Sequence, residues 1–265
     1  MKIFHRISVT LEPAIKNAFS KAGMPLEGGF VSFDIEETDE RWPDVEKIVH
    51  RHQLLDIITT KFSEEEISNS EYLAVEPTWH NGYPQPDGDF GYLEKTYDLK
   101  EYCCKCGQGK VQAAPFRLKK PPNWGRRSVF QLNWVFDEYF VRTELWENAF
   151  RPHGIGCRPV VLHKTGEAIS SVVQLEIEKK FDVGIPKDAP REVCPNCRRD
   201  KILPITRGFL PRPLVDVKQA MFKSSQYFGS GGSAFRKVFV SSSLFNELRL
   251  RDVKGVDFSP CLPSG

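Results

Sequence analysis

The clearest hydrophobic pattern near the start of the chain is Phe30-Val31-Ser32-Phe33-Asp34-Ile35-Glu36, which alternates apolar and polar residues as a half-covered strand does. Around it, residues 2–9 read as a strand and residues 11–22 as a helix. Pro13 suits the first helical turn, Thr10 is placed to cap it and Gly23 to stop it. Pro43 opens a second amphipathic helix with Val45, Ile48, Val49 and His52 inward. Residues 55–62 and 72–75 follow as strands. These elements predict a small α/β module over residues 1–76.

Residues 77–101 change character. Trp79, His80, Tyr83, Phe90, Tyr92 and Tyr97 stand among prolines, glycines and acids, which forbids a long helix but argues for order, so this stretch reads as a connector covering core. Within residues 102–265, strands are predicted at 130–135, 159–162, 172–177, 237–240 and 255–258, and helices at 143–150, 214–222 and 242–249. The fold class is therefore α+β.

Charge sharpens the division. Residues 1–76 hold 8 Lys or Arg against 15 Asp or Glu, and the remainder holds 29 against 20. The acidic end suits a basic partner, or docking within the chain. No apolar run approaches the roughly 20 residues of a membrane span, and Met1-Lys2-Ile3-Phe4-His5-Arg6 is too charged and short for a secretory signal, so the cytoplasm is expected.

The chemistry lies in two cysteine knuckles, Cys103-Cys104-Lys105-Cys106-Gly107 and Cys194-Pro195-Asn196-Cys197. Two C-x-x-C pairs supply four thiolates to one tetrahedral zinc ion, and four thiolates leave no open position, so a single structural Zn2+ on Cys103, Cys106, Cys194 and Cys197 is expected. The knuckles stand much farther apart than the roughly 15–20 residues of a compact zinc ribbon, so a folded insert must leave one and return to the other. Cys104 is the alternative to Cys103. An odd total of seven cysteines argues against a disulfide framework, and leaves Cys104, Cys157 and Cys261 as free thiols, expected to be buried.

Other stretches offer weaker chemistry. Arg117, Lys119, Lys120, Arg126 and Arg127 surround Trp124, an arrangement that can grip phosphate and stack a base. Residues 228–234, Phe-Gly-Ser-Gly-Gly-Ser-Ala, can form an amide nest for an anion but lack the Gly-Lys-Ser/Thr ending of a phosphate loop, and a turn is the simpler reading. No nucleophile elbow, His-Glu-x-x-His helix or dinucleotide fingerprint appears, and Cys194-Pro195-Asn196-Cys197 lacks the His-x-Glu of zinc deaminases, so a non-enzymatic role is expected.

A repeat runs through the second part. Phe140-Val141-Arg142-Thr143-Glu144-Leu145-Trp146 matches Phe239-Val240-Ser241-Ser242-Ser243-Leu244-Phe245 in apolar placement, and each leads to a Gly-aliphatic step, Gly154-Ile155 or Gly255-Val256. The expectation is two strand-helix-strand units, each carrying one knuckle and meeting at the metal. With these features and the terminal Lys254-Gly255-Val256-Asp257-Phe258-Ser259-Pro260, the chain from Tyr102 to Pro260 resembles the bacterial double-CxxCG proteins, a family that includes immunity partners of polymorphic toxins. Gly107 keeps the family glycine; Arg198 replaces it in the second knuckle. The resemblance implies a protein that binds and blocks a cognate toxin, with zinc as scaffold; a zinc-ribbon nucleic-acid-binding or regulatory protein is the alternative.

Overall fold

A computed structural model of the chain describes residues 1–263. Helices and many strands are mixed, an α+β composition. Contacts divide the chain into two compact units, one of Met1–Glu66 with Ile205–Phe209 and one of the remaining residues from Ile67 onward.

In the first unit, β1 (Lys2–Thr10) is the middle strand of an antiparallel sheet, flanked by β2 (Phe30–Glu36) and β3 (Leu55–Lys61). Two helices, α1 (Pro13–Lys21) and α2 (Trp42–His52), supply Ile15, Phe19, Trp42, Val45, Ile48 and Val49 to a core shared with Ile7, Val9 and Ile35 of the sheet. His52 is only half-buried at the end of α2. The expected cap at Thr10 does not form: Thr10 stays in β1 and Glu12 is the capping residue. Pro13 explains this, because its ring forces the residue before it into the extended conformation seen at Glu12, φ −72° and ψ 155°. The other sheet face carries Phe30, Leu55 and Ile57, opposite Thr10, Ser8 and Arg6 in register and exposed at 69%, 59% and 47%. Arg207 donates to Glu37 Oε2 at 2.8 Å and so ties the returning segment to this unit.

The short α3 (Glu64–Ser68) leads onward to β4 (Tyr72–Pro77). Next come α4 (Tyr92–Thr96), β5 (Tyr97–Asp98), β6 (Val111–Gln112), β7 (Arg117–Leu118), β8 (Val129–Phe130), β9 (Phe140–Arg142), α5 (Thr143–Leu145), β10 (Gly156–Leu162) and β11 (Ala168–Glu176). The chain ends with β12 (Lys180–Phe181), β13 (Arg191–Val193), β14 (Asp200–Ile202), β15 (Met221–Ser224), β16 (Val238–Ser241), α6 (Ser242–Leu250) and β17 (Val256–Pro260).

Strand β4 corrects the expected boundary. It forms over the expected residues, but its partners are β16 and β17, so the first unit ends at Glu66 and not at residue 76. Tyr72, Leu73, Ala74 and Val75 are all buried, a continuous run that suits an internal strand covered on both faces. The connector is structured too: Tyr92 and Tyr97 lie in the core with Phe116, Phe130 and Phe140. The helix expected at 214–222 is absent. Leu214 and Val215 are exposed there, and Met221 begins β15.

Two five-stranded sheets share one plan. Their orders are β7-β10-β11-β9-β8 and β12-β15-β16-β4-β17. In the first, β11 lies between β9 and β10 and runs antiparallel to both; in the second, β4 lies between β16 and β17 in the same way. Register matches residue by residue: Phe140 faces Gln174 as Phe239 faces Ala74, Gly156 faces Glu176 as Asp257 faces Glu76, and Pro159 faces Val173 as Pro260 faces Leu73. Phe130 stacks on Phe140 at 5.2 Å and 14°, and Phe222 on Phe239 at 5.3 Å and 17°. A helical segment follows each inner strand, α5 with a π turn at Trp146–Phe150 in one sheet and α6 in the other.

The inserted strands are exchanged. β4 precedes the first knuckle yet belongs to the sheet built after the second, while β11 precedes the second knuckle and belongs to the sheet built after the first. Each half of the unit thereby supplies an internal strand to the other half's sheet.

Candidate metal centre

Each knuckle sits beyond a two-stranded antiparallel hairpin, the first on β5 and β6 and the second on β13 and β14. In each, the first cysteine's amide donates across the turn, Cys103 to Gln108 O and Cys194 to Arg199 O, both at 2.9 Å. A return bond follows the last cysteine, from Gly107 N to Cys103 O at 2.8 Å and from Arg198 N to Cys194 O at 3.0 Å. This turn requires a left-handed residue after the second cysteine. Gly107 meets it at φ +81°, and Arg198 adopts φ +62° in the same place. Gly107 also lies against the backbone of Gly232, where a Cβ would clash. Arg198 therefore carries the strain that glycine avoids.

The hairpins are cross-linked reciprocally. Gln108 Nε2 donates to Asp200 O at 2.9 Å, and Arg199 Nη1, one place after the second turn's left-handed residue as Gln108 is in the first, donates to Glu101 O at 2.7 Å. These bonds bring the four expected thiols together. The sulfurs of Cys103, Cys106, Cys194 and Cys197 all lie within 4.8 Å of one another, with Cys103 to Cys194 at 3.8 Å and Cys106 to Cys197 at 3.6 Å. Ligands about 2.3 Å from a tetrahedral ion stand about 3.8 Å apart, so the cluster has the spacing of a metal cage. Cys103, Cys106 and Cys194 are buried and Cys197 is half-buried. This group can hold a metal ion.

Local polar groups prepare two of the thiols for ionisation. The Asn196 amide, at 3.4 Å, and the Cys106 backbone N–H hold Cys103 down to about 6. The backbone N–H of Cys197 chiefly lowers Cys194, whereas burial pushes Cys106 up to about 12. Four thiolates this close repel one another, so complete ionisation calls for a cation among them. Cys104 is exposed and outside the cluster, which answers the question of Cys103 against Cys104 and corrects the expectation that the spare thiols are all buried. Cys157 is half-buried, and Cys261 is buried with its thiol pushed up to about 12.

Sequence reasoning missed Lys201, whose side chain is fully buried beside the cluster. Its ammonium donates to Cys106 O at 3.3 Å, to Ser233 O at 3.0 Å and to Gly231 O, and faces Glu192 at 3.4 Å. The glycine-rich loop thus turns carbonyls toward the Lys201 ammonium, while its Gly231 N–H donates to the Glu192 carboxylate at 3.0 Å. The only signal in the sequence was position: Lys201 stands four residues after Cys197, as Lys110 stands four after Cys106.

The basic stretch keeps its cations but loses its stacking residue. Lys119, Lys120, Arg126 and Arg127 are exposed and Arg117 half-buried, while Trp124 is buried in the core, with Arg142 over its ring at 5.1 Å. Among the described residues no helix is long and apolar enough to cross a membrane. Compared with known proteins, the chain matches no family model, no curated protein and no solved structure.

Proposed function

We propose that the chain is a non-enzymatic binding protein whose second unit is stapled by one structural zinc ion, and that it acts as an immunity or inhibitor protein against a cognate bacterial toxin. The observation that carries the reading is the thiol cage: four cysteines fill a tetrahedral sphere and leave no coordination position for water or substrate. Sulfur-rich tetrahedral sites select zinc over the hard cations. Each knuckle belongs to one of two similar strand-helix-strand units, so the ion joins the two copies at their tips.

The first unit offers the binding surface. Phe30, Leu55 and Ile57 project from the uncovered sheet face of an acidic module, an apolar patch that suits the centre of an interface with a basic partner. The resemblance of residues 102–260 to double-CxxCG proteins names the partner class. The test is co-expression with the product of the adjacent reading frame. Co-purification and relief of its toxicity, both lost on Phe30→Asp with Ile57→Asp, support the reading. Failure to bind or neutralise that product contradicts it.

A further inference from the structure

The two halves of the second unit contain cavities at matching places, and the two cavities differ in the charged groups that line them. One, of about 260 Å³, is lined among others by Lys110, Glu138, Glu176, Lys180 and Lys223. Its counterpart, about 330 Å³, has Glu76, His80, Gln131 and Lys237 at the corresponding positions. The correspondence follows from register: Lys180 bridges Lys223 in parallel just as His80 bridges Gln131, and Glu176 faces Gly156 as Glu76 faces Asp257. The scaffold is thus built equally well with histidine and glutamine in place of two of the lysines. Fold alone does not demand them.

Within the first cavity three of the four carboxylates are paired with cations. Glu138 pairs with Lys223 at 2.6 Å and accepts from Gln174 at 3.0 Å; Glu176 and Glu178 take Arg158 at 2.8 and 3.4 Å; and Asp137 accepts the Arg236 backbone N–H at 3.2 Å. Arg236 spends its guanidinium on Ser224 O and the ring of Tyr227. Lys110 and Lys180 are the two lysines of the lining that no carboxylate contacts closely. Lys110 is half-buried over the Tyr97 ring at 5.2 Å and Lys180 is exposed; neither ammonium forms a close ion pair among the described residues, although Asp137 and Glu138 attract both at longer range. Tyr97, 8% exposed, also lines the cavity, and its hydroxyl has no hydrogen-bond partner.

We propose that this cavity is a binding site for a small molecule bearing one compact anionic group, a carboxylate or a phosphate, held between Lys110 at the inner wall and Lys180 at the mouth. A half-buried ammonium with no carboxylate in contact, as at Lys110, gains from a charge-assisted hydrogen bond to an anion. Burial pushes Lys110 and Lys180 down from the ordinary lysine range, the direction a bound anion would reverse. The cavity is smaller than most drug-sized pockets, which suits a compact ligand.

Calorimetric titration of the metal-loaded full chain with inorganic phosphate, and separately with succinate, tests the site. Saturable one-site binding of at least one anion is expected, weakening as salt rises, and the better ligand identifies the preferred group. Lys110→Gln and Lys180→Gln should each weaken it roughly tenfold or more. Lys180→Arg should retain it, and His80→Gln in the counterpart cavity should leave it unchanged, all with wild-type metal content and melting temperature. Binding of neither anion, or binding that survives both lysine-to-glutamine changes, overturns the proposal.

Discussion

Lys110 and Lys201 each stand four residues after the last cysteine of a knuckle, yet they meet opposite surroundings. Lys201 is enclosed by three carbonyls and Glu192; Lys110 faces a cavity in which no carboxylate forms an ion pair with it. The same contrast runs through the second unit. Its two halves agree in strand order, register and the stacked phenylalanine pair. They differ in the residue that closes the cysteine turn, the fate of the following lysine and the charged groups that line the matching cavity. Shared features are those that hold the sheets; divergent ones locate what each half does separately.

Metal removal should produce the largest effect, because the four thiols that would hold the ion come from both halves. Cys194→Ser, or a strong chelator, should abolish metal content and lower the stability of the second unit by several kcal/mol, against about 10–16 kcal/mol of structural zinc binding in small peptides. Atomic emission and denaturant unfolding would show it. Next come the stacked rings. If the halves are equivalent, Phe140→Ala and Phe239→Ala, both fully buried, should cost similar amounts, about 3–5 kcal/mol each. A large inequality would break the comparison.

The lysines should then separate the halves. Lys201→Met leaves buried carbonyls unpaired and should destabilise by about 3 kcal/mol, while Lys110→Met should be near neutral. At the turns, Arg198→Gly should stabilise by about 1 kcal/mol by relieving the left-handed conformation, whereas Gly107→Ala should destabilise. The smallest effect is on acid release. Cys103 is held down to about 6, so its thiolate contributes stability above the ordinary thiol range that is lost as pH falls through about 6. Asn196→Ala removes the main cause and should move metal release, followed by a chelating dye, to higher pH.

Local signals made much of this legible. The four clustered thiols follow from C-x-x-C spacing, β2 from its alternation over residues 31–36, and the repeat from the Phe-Val pairs at 140 and 239. Long-range pairing was not legible. Nothing local in Tyr72–Pro77 says that its partners lie near residues 240 and 258, and the two-residue strands β5 to β8 are too short to show a period. The lysine-lined cavity escaped for the same reason, because Lys110, Lys180 and Lys223 are far apart in sequence and come to line one cavity only in the fold. Trp124 misled in the other direction, reading as a stacking residue among cations although its ring belongs to the core.

X-ray absorption at the zinc edge of the purified full chain bears most directly on the thiol cage, read together with metal stoichiometry. One zinc per chain with four sulfur neighbours at about 2.3 Å is the predicted result. A shell containing oxygen or nitrogen, or fewer than four sulfurs, would contradict a closed, non-catalytic centre.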